Sequence, residues 1–184
     1  MLLRVPFQKK VDPLSEISTP FRCWPTDLDV NFHMNNGKYF SILDLGRLDL
    51  IFRTGNLPQV LRSGLKPMVI EESMRFRKSI QLFQKFRVCT RIVGWKGQDL
   101  YLEQKFLIDS KNSASAEDPN KTTSQVCAWA FIRARIVAPG KGSLPVEEVV
   151  KLFGYNGPQI DLPPNFQAWS ELPKLHPSKN SILA

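Results

Sequence analysis

Histidine is almost absent from this chain of 184 residues, which has two, and cysteine is scarce at three. Cys23, Cys89 and Cys127 are widely spaced and form no CxxC pair. They are read as reduced thiols, and neither a disulfide framework nor a zinc site is expected. Long apolar runs are also missing: no stretch approaches the roughly 18 residues of a membrane span. The opening MLLRVPFQKK is broken by Arg4 and Pro6 and has no signal-peptide core. Location is therefore expected to be cytoplasmic, with no membrane span. Acidic residues are in the minority, 17 against 25 Lys and Arg, for a net charge of +8.

That charge is not gathered into a block. Arg75, Arg77, Lys78, Lys85, Arg87, Arg91, Lys96, Arg133 and Arg135 alternate with apolar residues, as on the wet face of a sheet. An anionic small ligand is the next explanation. Nucleic acid is not expected as a partner, because no recognition motif accompanies the charge.

The length and a hydrophobic content of 42% suit one soluble domain that can bury its own core. Residues 1–18 read as a polar, Pro-interrupted arm. A short strand is expected over Phe21–Trp24, ended by Pro25. KYFSILDLGRLDLIFR (38–53) has helical spacing, with apolar residues over much of its circumference, so it is expected to be a buried helix stopped near Gly55. The period then changes to two. Strands are expected over 68–80, 85–95, 100–108 and 126–137, joined by hairpin-type links. The polar link at 109–124 is expected to be mobile. A Pro-rich extension, 139–184, contains one short helix opened by Pro145 and stopped by Gly154. With no βαβ alternation, the class is α+β with an antiparallel sheet.

Between the first strand and the helix lies TDLDVNFHMNNGKYF (26–40), which holds one of the two histidines. It is either a turn that caps the helix or a site. Asp29 suits a turn, because a carboxylate there accepts backbone N–H bonds. Asn35 and Asn36 suit a helix cap. The same helix start carries free N–H groups with partial positive charge. His33 can orient Asp29, touch a substrate, or bond within the loop. Asp44 sits three residues before Arg47, the spacing of a helical ion pair.

The segment resembles the hotdog-fold acyl-CoA thioesterases of the 4-hydroxybenzoyl-CoA thioesterase type. The resemblance rests on Asp27, Asp29, His33, Met34, Asn35, Asn36, Tyr39, Asp44 and Arg47, and extends over about 18–138. It implies a hotdog fold, with an antiparallel sheet of about five strands wrapped around one long helix over residues 19–138. It also implies thioester hydrolysis without metal or resident cofactor, an acyl-CoA-type substrate, and a homodimer or homotetramer. Carried over by position, Asp29 is nucleophile or general base, and the amide of Asn36 donates to the thioester oxygen. His33 assists, Asp44 is the reserve carboxylate, and Lys96 contacts the CoA phosphates. One departure is visible. The family often has Gly before the histidine, where an unusual backbone angle is needed, and this chain has Phe32.

Two other readings stay open. Hotdog hydratases place Asn two residues and His five residues after an Asp. Asp29 and Asn31 imitate that pattern, but His33 arrives one residue early. The chain could also bind acyl-CoA without cleaving it.

Overall fold

The computed structural model describes residues 11–55, 57–110 and 123–171. Strand β1 (Ile17–Arg22) leads through a 3-10 turn (Pro25–Asp27) and a loop into helix α1 (Asn36–Arg53). Helix α2 (Leu57–Ser63) follows, and then the long strands β2 (Lys66–Phe76), β3 (Lys85–Lys96), β4 (Asp99–Ser110) and β5 (Thr123–Ala138). A two-residue strand β6 (Gly142–Ser143), helix α3 (Val146–Leu152) and helix α4 (Pro164–Glu171) complete the described chain. The sheet order is β1-β3-β4-β5-β2 with β6 on β5, and every pairing is antiparallel.

Alternation along the strands sorts side chains into two faces. Phe86, Val88 and Thr90 of β3, Leu102, Gln104 and Phe106 of β4, and Ala128, Ala130 and Ile132 of β5 are buried beneath α1. Burying each of the larger of these apolar side chains contributes about 1.5–3 kcal/mol. From above, Tyr39, Ile42, Leu43, Gly46 and Leu50 of α1 close the layer. The absence of a side chain at Gly46 sets how close the helix comes. A Cβ there would lie 2.8 Å from Gln104 Nε2 and 2.9 Å from Thr90 Oγ1. That Nε2 donates to the carbonyl of Leu43 at 3.0 Å and to Thr90 Oγ1 at 2.9 Å, so the buried amide is satisfied.

The outer face carries basic residues, and five of them are matched to an acid. Arg91 and Lys105 meet Glu103 at 2.7 and 2.8 Å, Arg133 and Arg135 meet Asp99 at 2.7 and 2.5 Å, and Arg87 meets Asp109 at 3.2 Å. The wet-face explanation of the alternating charge therefore holds for these positions. One end of this face is covered instead by α4, whose Phe166 and Trp169 cluster with Val93, Tyr101, Leu162 and Phe131. In the bulge of β3, Gly94 admits the strap before α4, and a Cβ there would lie 2.7 Å from the carbonyl of Ile160.

Several boundaries differ from the sequence expectations. The first strand is Ile17–Arg22 rather than 21–24: Ile17 and Thr19 point inward, and Pro20 is tolerated because β1 is an edge strand. The strand expected to reach residue 80 stops at Phe76, where the backbone N–H groups of Arg77 and Lys78 both turn to the carbonyl of Cys127. Helices α2 and α4 were not expected. Nor is α1 buried all round, since Leu45 remains 45% exposed on the side away from the sheet. Of the 1–18 arm, residues 1–10 lie outside the described residues, and Ile17 and Ser18 already belong to β1. Most of the 109–124 link (111–122) and the end of the extension (172–184) also lie outside them.

Candidate active site

The loop before α1 is built by short-range bonds that the sequence dictates. Asp27 receives the Trp24 N–H on Oδ2 at 2.8 Å, and its carbonyl accepts the Asn35 N–H at 2.8 Å. Leu28 pairs with Met34, and the Asp29 N–H donates to the His33 carbonyl at 3.0 Å. The result is a tight hairpin with Asp29–Phe32 at its tip, where the Phe32 N–H returns to the Asp29 carbonyl at 3.1 Å. Two further links bind the hairpin to the segment before β3: the Met34 N–H donates to the Ile80 carbonyl at 2.9 Å, and His33 pairs with Gln81.

Phe32 has φ +58°, a left-handed conformation in which non-glycine residues are uncommon. The angle inferred from the family's glycine is therefore present, and a phenylalanine adopts it. Its ring stands in solvent, 79% exposed.

At the tip, Asp29 Oδ1 accepts the Asn31 N–H at 2.8 Å. This is the turn function, and it fixes the carboxylate. Oδ2 has no hydrogen-bond partner among the described residues. His33 Nδ1 lies 3.8 Å from Asp29 Oδ1, too long for a hydrogen bond. Asn35 caps α1, with its Oδ1 accepting the Gly37 N–H at 2.8 Å. The Asn36 N–H, first amide of the helix, has no acceptor among the described residues, as expected at an N-terminus. His33, opposite Asp29 in the hairpin, is three residues before Asn36, a backbone reach of at most ~11 Å. One free carboxylate oxygen and one free, positively polarised amide therefore lie at the two ends of the same short segment.

The surroundings restrict which group can act as nucleophile. Cys23, fully buried at the base of the loop, has its thiol pushed up by burial and secondarily by Asp27. Burial likewise raises the thiols of Cys89 and Cys127, so none of the three is held as a thiolate. Tyr39, under the loop against Phe76 and Phe106, is pushed up to about 12 by burial, which the backbone of Ile80 only partly offsets. It is a neutral phenol that supports the loop from below.

Asp44 and Lys96 are not brought to this loop within one chain. Asp44 lies eight residues into α1, about 12 Å along the axis from Asn36. It is exposed and paired with Arg47, as the helical spacing suggested. Arg47 also lies 2.7 Å from Glu72 Oε1, close as an ion pair but without hydrogen-bond angles, and donates to Gln104 Oε1 at 2.9 Å. Lys96 closes the far end of β3, whose near end at Lys85 adjoins the loop side. The strand separates them by roughly 36 Å. Lys96 instead meets Glu171 of α4 at 3.3 Å. That pairing has no local signal, because it depends on α4, which sequence periodicity does not reveal.

A long helix laid on a curled antiparallel sheet of this order is the hotdog fold, here with a loop carboxylate at the helix entrance. Residues 23–169 match the family model of the Thioesterase-like superfamily, and the chain belongs to that family. Among curated proteins it is similar to Protein THEM6 of Xenopus laevis, 28% identical over 155 residues, covering 79% of this chain and 70% of the relative. Protein THEM6 of Danio rerio is 35% identical over 115 residues, covering 62% of this chain and 57% of that relative. Among solved structures, a 4-hydroxybenzoyl CoA thioesterase mutant complexed with 4-hydroxybenzoyl CoA superposes with a TM-score of 0.63 at 12% identity. That match covers 74% of this chain and 97% of the other. The family match runs past residue 138, taking in the strap and most of α4.

Proposed function

We propose that this protein hydrolyses an acyl-CoA-type thioester to the free acid and CoA. One observation carries the reading: Asp29 Oδ2 and the Asn36 amide at the start of α1, both without a partner among the described residues, lie at the two ends of one short loop segment. A thioester oxygen seated on that amide would gain stabilisation as it becomes an oxyanion. Asp29 then acts in one of two ways. It attacks the carbonyl carbon, forming an anhydride and expelling CoA thiolate, and water later cleaves the anhydride. Alternatively, it takes a proton from water, which attacks directly while the thiolate leaves. In either route His33, whose Nδ1 is 3.8 Å from the carboxylate, would assist by closing that distance when substrate binds. Contact of Lys96 with CoA phosphates would require it to come from a second chain, since its own loop is a strand length away.

The test is Asp29→Asn, which keeps the shape and one acceptor but removes the charge and the base. Turnover of an acyl-CoA panel, read by free thiol, is expected to fall by about 10²–10⁴ with the melting temperature unchanged. Asp44→Asn is expected to stay near wild type. Near-normal turnover in Asp29→Asn would move the role to Asp44, and if both variants were silent the carboxylate mechanism would fail. Wild-type protein that binds acyl-CoA but releases no thiol would favour the non-catalytic reading.

A further inference from the structure

The loop end of the molecule exposes more apolar surface than a soluble tip requires. Val30 is 90% exposed, Phe32 79%, Trp24 53%, Phe83 52% and Leu82 40%. These residues come from separate segments but form one patch. Trp24 and Phe83 meet edge to face at 6.1 Å, the Phe83 N–H donates to the Cys23 carbonyl, and His33 pairs with Gln81 beside Leu82. Two of the rings, Phe32 and Phe83, are held outward from left-handed residues at φ +58° and +60°. Keeping large aromatics at strained positions in water runs against folding stability, which indicates selection for something outside the fold.

The rim of the patch is basic. The Arg22 guanidinium stands 5.9 Å over the Trp24 ring, and Lys85 faces Arg22 across the β1–β3 pairing. Arg77 and Lys78 are exposed at the start of the segment that ends in Phe83. Three acids lie in the same region: Asp27, Asp29 and Asp109, the last held by Arg87 at 3.2 Å and by the Ser124 hydroxyl at 2.7 Å. Asp27 is engaged by Lys38 at 3.5 Å and by the Trp24 N–H, and Asp29 by the Asn31 N–H. Basic groups therefore predominate around a tip of Trp, Phe, Leu and Val. That is the composition that settles at the headgroup boundary of an anionic bilayer.

We propose that this tip is a docking surface for an anionic membrane, with Phe32, Phe83, Val30 and Trp24 entering the interface and the basic rim holding acidic headgroups. The proposal goes beyond the thioesterase reading and does not depend on it, because binding is read without turnover. The test uses the full chain and vesicles of phosphatidylcholine alone or mixed with phosphatidylserine. Wild type is expected to sediment with the mixed vesicles in preference to the neutral ones, with a blue shift of tryptophan emission that Trp24→Phe abolishes. The triple variant Val30→Ser, Phe32→Asn, Phe83→Asn uses asparagine because it accepts left-handed angles. Its vesicle affinity is expected to drop by at least about tenfold with melting temperature and oligomeric mass unchanged. Arg22→Glu with Lys85→Glu is expected to remove the preference for phosphatidylserine. Wild type that ignores both kinds of vesicle, or a triple variant that binds as well as wild type, overturns the proposal. So does a triple variant that falls apart into smaller species in light scattering, since the patch would then be a contact between copies.

Discussion

At the scale of single residues, Phe32 shows how backbone and side chain can want different things. Its left-handed angle costs a β-carbon residue on the order of 1–2 kcal/mol, which glycine would not incur. Glycine in turn costs about 0.5–1 kcal/mol of backbone freedom. Phe32→Gly is therefore expected to leave the melting temperature equal or slightly raised, whereas Phe32→Val is expected to lower it. Thermal denaturation of the two variants with the order reversed would show that the ring, rather than the angle, sets the local energy. Asp99 offers a second test. Burial alone would raise its carboxyl, but the hydrogen bonds and charges of Arg135 and Arg133 outweigh this and hold it below the ordinary 3.8. A depressed carboxyl contributes stability that is complete above its unfolded value and is lost as pH falls through the folded one. Asp99→Asn should thus melt lower at neutral pH and lose less on acidification below about pH 4. Parallel acid profiles for the two proteins would contradict it.

At the scale of elements, the contact between α1 and the sheet depends on Gly46. Adding one methyl would push against Gln104 Nε2 and Thr90 Oγ1, both buried and hydrogen-bonded, so Gly46→Ala is expected to destabilise by about 1–3 kcal/mol. Urea unfolding that showed no loss would mean the polar pair can move aside. Much of this level was legible beforehand. The alternation in 85–95, 100–108 and 126–137 marked three strands, and the helical period of 38–53 marked α1, because each signal is local. The turn at Asp29, whose carboxylate takes a backbone N–H, was legible for the same reason, but the hairpin that pairs Asp29 with His33 was not. Elements whose signal is weak or interrupted were missed. Pro20 breaks the alternation of β1, and α4 shows only Phe166 and Trp169 as buried residues over its eight. Long-range polar partners, Gln104 with Leu43 and Lys96 with Glu171, left no trace in the pattern, because any polar residue on either strand would have read the same.

At the scale of the whole molecule, one side is unfinished. Among the described residues strand β2 is an edge with one paired neighbour, and Met68, Val69 and Ile70 along it are 50%, 39% and 43% exposed. Leu45 of α1 is likewise open to water. An apolar, unpaired edge of this length invites a second sheet. The chain is expected to be at least a dimer in light scattering, and Ile70→Lys is expected to shift it toward monomer. A wild-type protein that stays monomeric at working concentration would refute this.

The close approach at Gly94 has a consequence for how this architecture can change over evolutionary time. With the Ile160 carbonyl 2.7 Å from where a side chain would begin, the strap is seated in the sheet like a tongue in a groove. Beyond it, Phe166 and Trp169 shield Val93, Tyr101 and Phe131 from water. The strands and central helix are therefore not a portable module to which a tail was added. A lineage that lost the tail would have to recolour the outer sheet from aromatic to polar in the same passage, and one that replaced Gly94 would have to reroute the tail. Neither part of the chain is free to drift without the other.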